Sequence, residues 1–406
     1  MKCLRRFNEI LTLKNAHHKD GRHLLPSDLS IIKNASLIYN QDSIIWIGPD
    51  DELPTHLSEY QITTDQVTDC SGKVLTPELV DSHTHLVFGG DRSFEYAMRL
   101  NGESYESIAM AGGGIKFTAS ETNQNSRHEL FKLGAERIRK MKSLGVGTIE
   151  IKSGYALNFD KELELSQIIH DLKTTFAPNI QILRTYMAAH AIPLEFKSSY
   201  DYVKEVVLPL LDILADESLI DFVDVFHEQN YFSSEDVRAI FERAHRRQLK
   251  VRMHADELND NGGAALALEY SALSADHLLK INHQHINHFK TSSTVATLLP
   301  GTGLFLGKDK APGRMLLDAG AKVAIASDFN PGSCHCDNLL LLASLAAPMY
   351  SMNQAELWAS ITLNAAHSLG LNDQGALVEG LKPRFTIFNA PSINHLTYHW
   401  GVNFAQ

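Results

Sequence analysis

Cysteine is scarce in this chain of 406 residues, and its scarcity limits what kind of protein the chain can be. Its four cysteines, Cys3, Cys70, Cys334 and Cys336, are too few and too unevenly spaced for a disulfide framework. No apolar run approaches the ~18 residues of a transmembrane helix. The first residues, MKCLRRFNEILTLKN, lack the apolar core and small-residue cleavage site of a signal peptide. These absences predict a protein of a reducing compartment, the cytoplasm.

An excess of basic residues is also missing. The 37 lysines and arginines stand against 48 aspartates and glutamates, which gives a formal net charge of −11. Proteins that bind nucleic acids or anionic membranes need a basic face, so we expect neither kind of partner. Histidine is unusually frequent for a protein of this size, with 20 copies. We therefore looked for histidines at the spacing of metal ligands.

Residues 1–75 have the sequence pattern of β-strands. In the middle of the chain, predicted strands then alternate with predicted helices. The stretch ASLIYNQDSIIWIGP reads as two short strands joined by a turn at residues 40–42. Beyond it, eight short apolar runs alternate with amphipathic helical stretches. These runs are VDSHTHLV (80–87), GTIEIKS (147–153), IQILRTYMAAH (180–190), FVDVFHE (222–228), KVRMHADE (250–257), ALSADH (272–277), TVATLLP (294–300) and AKVAIASD (321–328).

Eight strands in this order predict a TIM-like (β/α)8 barrel, because eight parallel strands can close into a barrel with helices outside. An open doubly wound sheet is the alternative. However, AGGGIKFTAS (111–120) does not fit the phosphate-binding fingerprint of such sheets, and we interpret it as a loop. β character returns in ALVEGLKPRFTIFNAP, after residue 375. We therefore predict an α/β protein with a catalytic barrel over residues 76–368 and a small β-sandwich domain built from residues 1–75 and 369–406.

Ionisable or metal-capable residues stand at the ends of several predicted strands, where a parallel barrel has its active site. The first strand, predicted from Leu79 to Val87, carries His83 and His85, and alternate residues of a strand share one face. The other strand ends carry His190, Glu228, His254, His277 and Asp328. A barrel would bring these ends into one ring.

Four of these residues, His83, His85, His254 and Asp328, are candidate ligands of one ion. Polar residues at a strand end can also be satisfied by hydrogen bonds alone, and in the surface-type stretch INHQHINHF we expect no metal. Asp328, however, follows small and apolar residues, and a buried unpaired carboxylate is costly. Three histidines and an aspartate suit zinc or iron better than magnesium or calcium, and such an ion can activate water.

His277 and Glu257 are candidates for proton transfer. His277 could be a further ligand or a base that prepares the water. We favour the base, because three histidines and Asp328 already fill a coordination sphere together with water. Glu257 follows His254 closely and is either an acid/base or a surface carboxylate.

This arrangement of strand-end residues resembles the pattern of the amidohydrolase superfamily. Longer stretches resemble the imidazolonepropionases within it: DSHTHLVFGGDRSFEYAMRLNGESYESIAMAGGGI (81–115), IEIKSGYAL (149–157), AAHAIP (188–193), HADELNDNGGAALALEYSALSADHL (254–278) and ASDFNPGS (326–333). In one departure, Arg384-Phe385 replaces the superfamily's usual Ala-Asp. The resemblance implies hydrolysis of the ring amide of 4-imidazolone-5-propanoate to N-formimino-L-glutamate in histidine degradation, by a water activated on a single zinc or iron ion.

The resemblance also implies roles for individual residues. His83, His85, His254 and Asp328 match the family's metal ligands, and His277 matches its water-activating residue. The positions that contact substrate or product are Arg92, Tyr155, His190, Glu257, Asn330, Gly332 and Ser333. His190 would donate a hydrogen bond to the developing oxyanion, and Asp328, His277 or Glu257 would return a proton to the leaving nitrogen. Family members are often dimers, which leaves a homodimer open.

Strand four offers His227 and Glu228 but no lysine, whereas binuclear members of the superfamily use a carbamylated lysine there. One metal ion per chain is therefore expected.

A related deaminase or another cyclic amidohydrolase is one rival interpretation of the function, and it would not need Arg92, Tyr155 and the DFNPGS turn as a set. An inactive member that only binds a metal or small ligand is the other, and the presence of every ligand and His277 argues against it.

Overall fold

The structure is a computed structural model that describes residues 1–104, 107–108 and 111–406. Its strands are β1 (Lys2–Leu11), β2 (Ile31–Tyr39), β3 (Ile44–Pro49), β4 (Val67–Asp69), β5 (Val74–Pro77), β6 (Leu79–Asp81), β7 (Val146–Lys152), β8 (Gln181–Tyr186), β9 (Phe222–His227), β10 (Lys250–Ala255), β11 (Ser274–His277), β12 (Val295–Leu298), β13 (Val323–Ile325) and β14 (Phe385–Phe388).

The described α-helices are α1 (Lys14–His18), α2 (Leu53–Glu59), α3 (Ser93–Leu100), α4 (Ile115–Gln124), α5 (Arg127–Ser143), α6 (Phe159–Phe176), α7 (Ser199–Tyr202), α8 (Leu208–Asp216), α9 (Ser234–Arg246), α10 (Gly263–Glu269), α11 (His283–Ile286), α12 (Pro300–Leu306), α13 (Gly313–Asp318), α14 (Leu339–Met349), α15 (Gln354–Ser360), α16 (Leu363–His367) and α17 (Ile393–Tyr398). A π-helical segment, Val203–Val207, joins α7 to α8. Across the described ranges, no helix is both long enough and apolar enough to span a membrane.

Strands β6 to β13 form one sheet of eight strands in sequential order, and every neighbouring pair is parallel. The predicted barrel with eight strands is thereby confirmed. Helix α9 is typical of the outer layer. Ser233 caps its first turn by accepting a hydrogen bond from the Asp236 amide, and Val237, Ile240 and Phe241 are buried along one face. Packing this apolar face on β9 and β10 stabilises both the helix and the strands.

The first and last strands of the barrel meet just beyond their carboxyl ends. Thr84 forms a parallel bridge with Phe329. The Asp328 amide donates to the His83 carbonyl at 3.0 Å, and the His85 amide donates to the Phe329 carbonyl at 2.9 Å. This seam places the predicted ligands from strands one and eight side by side.

A second sheet of six strands is assembled from both ends of the chain, as predicted for the small β-domain. Its order is β14-β5-β1-β2-β3, with β4 paired to β1, so it is one mixed sheet. Its core contains Phe7, Ile10 and Leu37, which are fully buried. Arg384, the residue that departs from the superfamily pattern, donates to Glu78 Oε1 at 2.8 Å and thereby ties this sheet to the barrel.

Two local predictions were wrong. The first barrel strand ends at Asp81, so His83 and His85 lie beyond it rather than within a strand to Val87. Beyond Asp81 the backbone bonds to residues 328–329 at the seam, and the Thr84 carbonyl accepts from the Lys152 amide at 2.9 Å. The glycine-rich segment 111–120 is a loop only as far as Gly114, and α4 begins at Ile115.

Candidate active site

Four predicted ligands converge at the carboxyl end of the barrel. His254 Nε2 lies 3.4 Å from His85 Nε2, and Asp328 Oδ1 lies 3.5 Å from His83 Nε2 and 3.7 Å from His85 Nε2. All four side chains are buried. Ligand atoms held ~2.0–2.1 Å from a tetrahedral ion are themselves about 3.3–3.5 Å apart, so this spacing fits zinc or iron.

The hydrogen bonds of the histidines also fit a metal. His83 Nδ1 lies 2.7 Å from Asp276 Oδ2, and His254 Nδ1 lies 3.1 Å from Asp224 Oδ1. Each Nδ1 therefore carries the proton and donates, which leaves the lone pair of each Nε2 facing the centre. His83 Nε2 has no hydrogen-bond partner among the described residues, although it is buried. A buried acceptor without a partner is costly, and an ion would satisfy it.

Backbone strain marks the two strand ends that supply His277 and Asp328. Their φ angles are 76° and 50°, in the left-handed region that residues other than glycine rarely adopt. Such conformations are concentrated at functional sites, where surrounding contacts hold them. The conformation turns the His277 ring toward the ligands, with its centroid 5.1 Å from that of His254.

His277 and Glu257 form a pair beside the ligands. His277 Nε2 is 3.5 Å from Glu257 Oε2. Burial, with neighbouring His254, lowers the pKa of His277 well below its usual range, so the imidazole is neutral and can accept a proton. Burial, with the charges of Asp328 and Glu228, raises the pKa of Glu257 to about 8, so this carboxyl holds a proton near neutral pH. The pair thus offers one proton acceptor and one proton donor.

Asp328 is held by its own strand-end contacts. The Thr302 hydroxyl donates a short hydrogen bond to Asp328 Oδ2, which leaves Oδ1 toward the histidines. Burial raises the pKa of Asp328 to about 6, even though the Thr302 hydrogen bond favours the charged form. Carboxylate desolvation of this kind is relieved when a cation is bound.

His190 and Tyr155 form the wall next to His85. The His190 ring stacks on His85 with centroids 4.9 Å apart, and Tyr155 lies 5.2 Å from His190. His190 Nδ1 is 3.1 Å from the Gly154 carbonyl, so Nδ1 carries the proton. Burial lowers the pKa of His190 to about 3, so the ring is neutral and its Nε2 is an acceptor. This tautomer argues against the predicted role of His190 as an oxyanion donor.

Arg92 stands at the start of α3 and is buried, with only 4% of its surface exposed. Its Nε and Nη2 donate to Glu95 Oε2 at 3.0 and 2.8 Å. Glu95 Oε1 in turn accepts from the Gly114 amide at 2.9 Å, at the end of the glycine-rich loop. Glu95, which no sequence pattern marked as functional, therefore fixes the direction of the guanidinium.

The DFNPGS turn lies directly against Arg92. Asn330 Oδ1 accepts from the amides of Gly332 and Ser333 at 2.8 and 2.7 Å, while Asn330 Nδ2 donates to the Ser333 hydroxyl and the Asp328 carbonyl. These bonds occupy the Asn330 amide in holding the turn. Direct contact of Asn330 or Ser333 with a substrate stays a prediction.

A Gly332→Ala substitution is expected to raise KM about tenfold with little change in kcat, because small displacements of a positioning group are expensive. A Cβ on Gly332 would lie 1.9 Å from Arg92 Nη1, so the guanidinium would have to move. Gly303→Ala is the matched control, since a Cβ there would lie 3.4 Å from its nearest neighbour. Steady-state kinetics of both variants checks this prediction. An unchanged KM for Gly332→Ala would show that Arg92 does not bind the substrate.

The two polar residues at the end of strand four, His227 and Glu228, form hydrogen bonds to the loops around them. Glu228 Oε2 accepts from the amides of Leu258 and Asn259 at 2.8 and 3.2 Å, and His227 Nε2 contacts the Ser234 hydroxyl at 3.1 Å. Both side chains are thus used in holding loops. Within the described residues, the possible metal-binding groups share His83 and form one site.

Several buried charged residues that contact or surround the ligands were not predicted from the sequence. Asp224, Arg252 and Asp276 are fully buried in the barrel strands, with Glu150 and Lys152 beside them. Their signal was visible as charged residues inside apolar runs, such as Arg252 two positions before His254 on the same strand face. The carboxylates of Asp224 and Asp276 orient two of the candidate ligands.

Comparisons with known proteins show the family to which the chain belongs. A model of the amidohydrolase family matches residues 74–401. The imidazolonepropionase of Geobacillus kaustophilus (strain HTA426) is 38% identical over 408 residues, covering 99% of this chain and 95% of that relative. The imidazolonepropionase of Agrobacterium fabrum (strain C58 / ATCC 33970) is 40% identical over 378 residues, covering 92% of this chain and 89% of the relative.

Two solved structures have a fold similar to that of this chain, although their sequence identity to it is low. Atrazine chlorohydrolase TrzN from Arthrobacter aurescens TC1, complexed with zinc, has a TM-score of 0.74 at 15% identity and covers 100% of this chain and 93% of its own. An adenosine deaminase from Xanthomonas campestris with bound zinc has a TM-score of 0.68 at 14% identity, covering 99% and 90%. At this identity the likeness concerns the fold alone.

Proposed function

Because the chain belongs to the amidohydrolase family and, within it, to the imidazolonepropionases, we propose that it hydrolyses the ring amide of 4-imidazolone-5-propanoate to N-formimino-L-glutamate. The chain is a metal-dependent hydrolase by family. The observation that carries the finer proposal is a buried arginine against the DFNPGS turn, whose first residue, Asp328, lies with three histidines in the candidate metal site. Such a site can hold a small carboxylate next to a reacting ring.

His83, His85, His254 and Asp328 would hold one zinc or iron ion. The donor set of three imidazoles and one carboxylate suits both ions. A bound divalent ion lowers the pKa of water toward ~7 and polarises a carbonyl oxygen, which is the chemistry that amide hydrolysis needs.

Substrate binding would use the wall and the turn. The Arg92 guanidinium would bind the substrate's propionate, because the planar charged group of arginine favours carboxylates. Its ion pair with Glu95 holds it in place before the substrate arrives. His190 Nε2 would accept a hydrogen bond from a ring N–H, and Tyr155, next to His190, would contact the same ring.

Proton transfer would use the pair beside the ligands. Neutral His277 would take a proton from the attacking water as its oxygen bonds to the ring carbonyl carbon. The bond between that carbon and the ring nitrogen then breaks, and the nitrogen needs a proton. Protonated Glu257, 3.5 Å from His277, is our preferred donor, and Glu257 would recover its proton from His277.

The proposal is tested by incubating purified protein with imidazolone propionate and following the loss of ring absorbance. We expect turnover in the presence of zinc or iron, and its loss after chelation. Metal analysis of the active protein should give one equivalent per chain, because strand four supplies no ligand to a second ion in the described residues. Turnover of a different cyclic amide or of an amine substrate, with none of imidazolone propionate, would contradict the proposal.

A further inference from the structure

A layer of charged side chains lies beneath the candidate ligands, on the inner face of the barrel. Its members are Glu150, Lys152, Asp224, Arg252 and Asp276, referred to below as the floor network. All five are 0–1% exposed. Barrel interiors are usually filled with branched apolar side chains, so five charged groups in one layer need a reason.

The floor network is continuous. Lys152 Nζ donates to Glu150 Oε1 at 2.8 Å and to Asp224 Oδ2 at 2.7 Å. Arg252 Nη2 donates to Asp276 Oδ2 at 3.0 Å, and Arg252 Nε lies 4.0 Å from Glu150 Oε1. Ion pairs therefore join strands two, four, five and six across the barrel.

Two carboxylates of the network also contact the ligands directly. Asp276 Oδ2 accepts from both Arg252 and His83 Nδ1, the latter at 2.7 Å. Asp224 divides its oxygens, with Oδ2 toward Lys152 and Oδ1 toward the Nδ1 and backbone amide of His254 at 3.1 and 3.2 Å. Each carboxylate thus selects the tautomer of one histidine while a buried cation holds the carboxylate.

The floor network is not electrically neutral. Its two cations and three carboxylates sum to a formal charge of −1, and the neighbouring Asp328 carboxylate brings the region to −2 when the histidines are neutral. A divalent cation would balance this charge. Stability alone is a poor reason for the arrangement, because apolar packing is often as stable as a buried ion-pair network.

We propose that the floor network sets the metal affinity of this chain, with Asp276 and Asp224 as positioning residues for His83 and His254. Lys152 and Arg252 hold the two carboxylates in place. The inference rests on the metal site of the proposed function. It goes beyond that function by assigning the ion's binding strength to residues that touch neither ion nor substrate.

Asp276→Asn is the sharpest test, because one oxygen, Oδ2, serves both His83 and Arg252. An asparagine can present its oxygen in the same place, so the substitution removes charge with little change of shape. We expect the Kd for Zn2+, measured on metal-free protein by competition with a chromophoric chelator, to rise about 10–100-fold. The visible absorption of the Co2+-loaded protein should also change.

Glu78→Gln is the matched control. Glu78 is a buried carboxylate at the barrel junction, with an ion pair to Arg384 at 2.8 Å, and has no contact with the ligands. Both substitutions should lower the melting temperature of the metal-free protein, but Glu78→Gln should leave the Zn2+ Kd and the Co2+ spectrum unchanged. A purely structural role for Asp276 would give both variants the same result.

Asp224→Asn applies the same measurement to His254 and serves if Asp276→Asn does not fold. A Zn2+ Kd within twofold of the wild-type value in the variant that folds, with an unchanged Co2+ spectrum, would overturn the inference. No substrate is needed, so this result is separate from a failure of the proposed reaction. A wild-type chain that bound neither ion would overturn the metal site itself and the inference with it.

Discussion

A His277→Phe variant is expected to keep its metal and to hydrolyse imidazolone propionate about 10²–10⁴-fold more slowly than the wild-type chain. The loss follows from the position of His277, whose neutral ring lies against the ligands and Glu257. Phenylalanine fills much the same volume but cannot accept a proton. The effect should fall on kcat, with KM changed little, because the residue acts on the water rather than on the substrate's carboxylate.

Metal content decides between two roles for His277. Its nitrogen, with His83 and Asp328, belongs to a second set of atoms close enough to hold an ion. If the variant lost its metal, His277 would be a ligand and the role as base would be wrong. His288→Phe, at an exposed histidine of the INHQHINHF stretch, is the control for adding an aromatic ring at a histidine position and should match the wild type.

An Arg92→Met variant is expected to lose kcat/KM by roughly 30- to 5,000-fold, mostly through KM. The estimate follows from the ~2–5 kcal/mol cost of removing one partner of a buried charged hydrogen bond. The substrate's carboxylate would lose its positively charged partner, and Glu95 would lose its cation. Steady-state kinetics over a wide substrate range measures the effect.

Two further variants separate charge, geometry and helix stability at Arg92. Arg92→Lys keeps the charge but not the planar fork, so it should recover only part of the loss. Arg99→Met alters the same helix at a side chain that packs over Phe305 at 4.6 Å, and it should leave KM unchanged. A wild-type KM for Arg92→Met would place the carboxylate elsewhere.

The barrel could be predicted because its signals are local. Each strand is a short apolar run, and each helix has its own periodicity and, as at Ser233, its own cap. The end of the first strand could not be predicted in this way. The strand ends at Asp81, and the backbone beyond it bonds to residues 328–329, a distant partner that no local sequence pattern near His83 indicates.

In the candidate site, too, local sequence features could be predicted and contacts with distant residues could not. The candidate ligands could be predicted because strand-end histidines and Asp328 are conspicuous in apolar surroundings. The direction of each hydrogen bond could not, since the tautomer of His190 depends on a carbonyl, that of Gly154, from another strand's loop. Glu95 was missed for a similar reason, because an acidic residue in the first turn of a helix is ordinary in sequence.

The seam between β6 and β13 joins the early and late parts of the chain through the site itself. The Ser327 amide donates to Asp81 Oδ1 at 3.0 Å, across 246 positions of sequence. An ion bound by both His83 and Asp328 would close a loop of nearly the same length. It would restrict the unfolded chain much as a distant cross-link does. It also means that during synthesis nearly the whole barrel must follow His83 and His85 before the last candidate ligand, Asp328, is available. A nascent chain that stops short of Asp328 has neither the last ligand nor the closing strand, so catalytic competence and completion of the barrel arrive together.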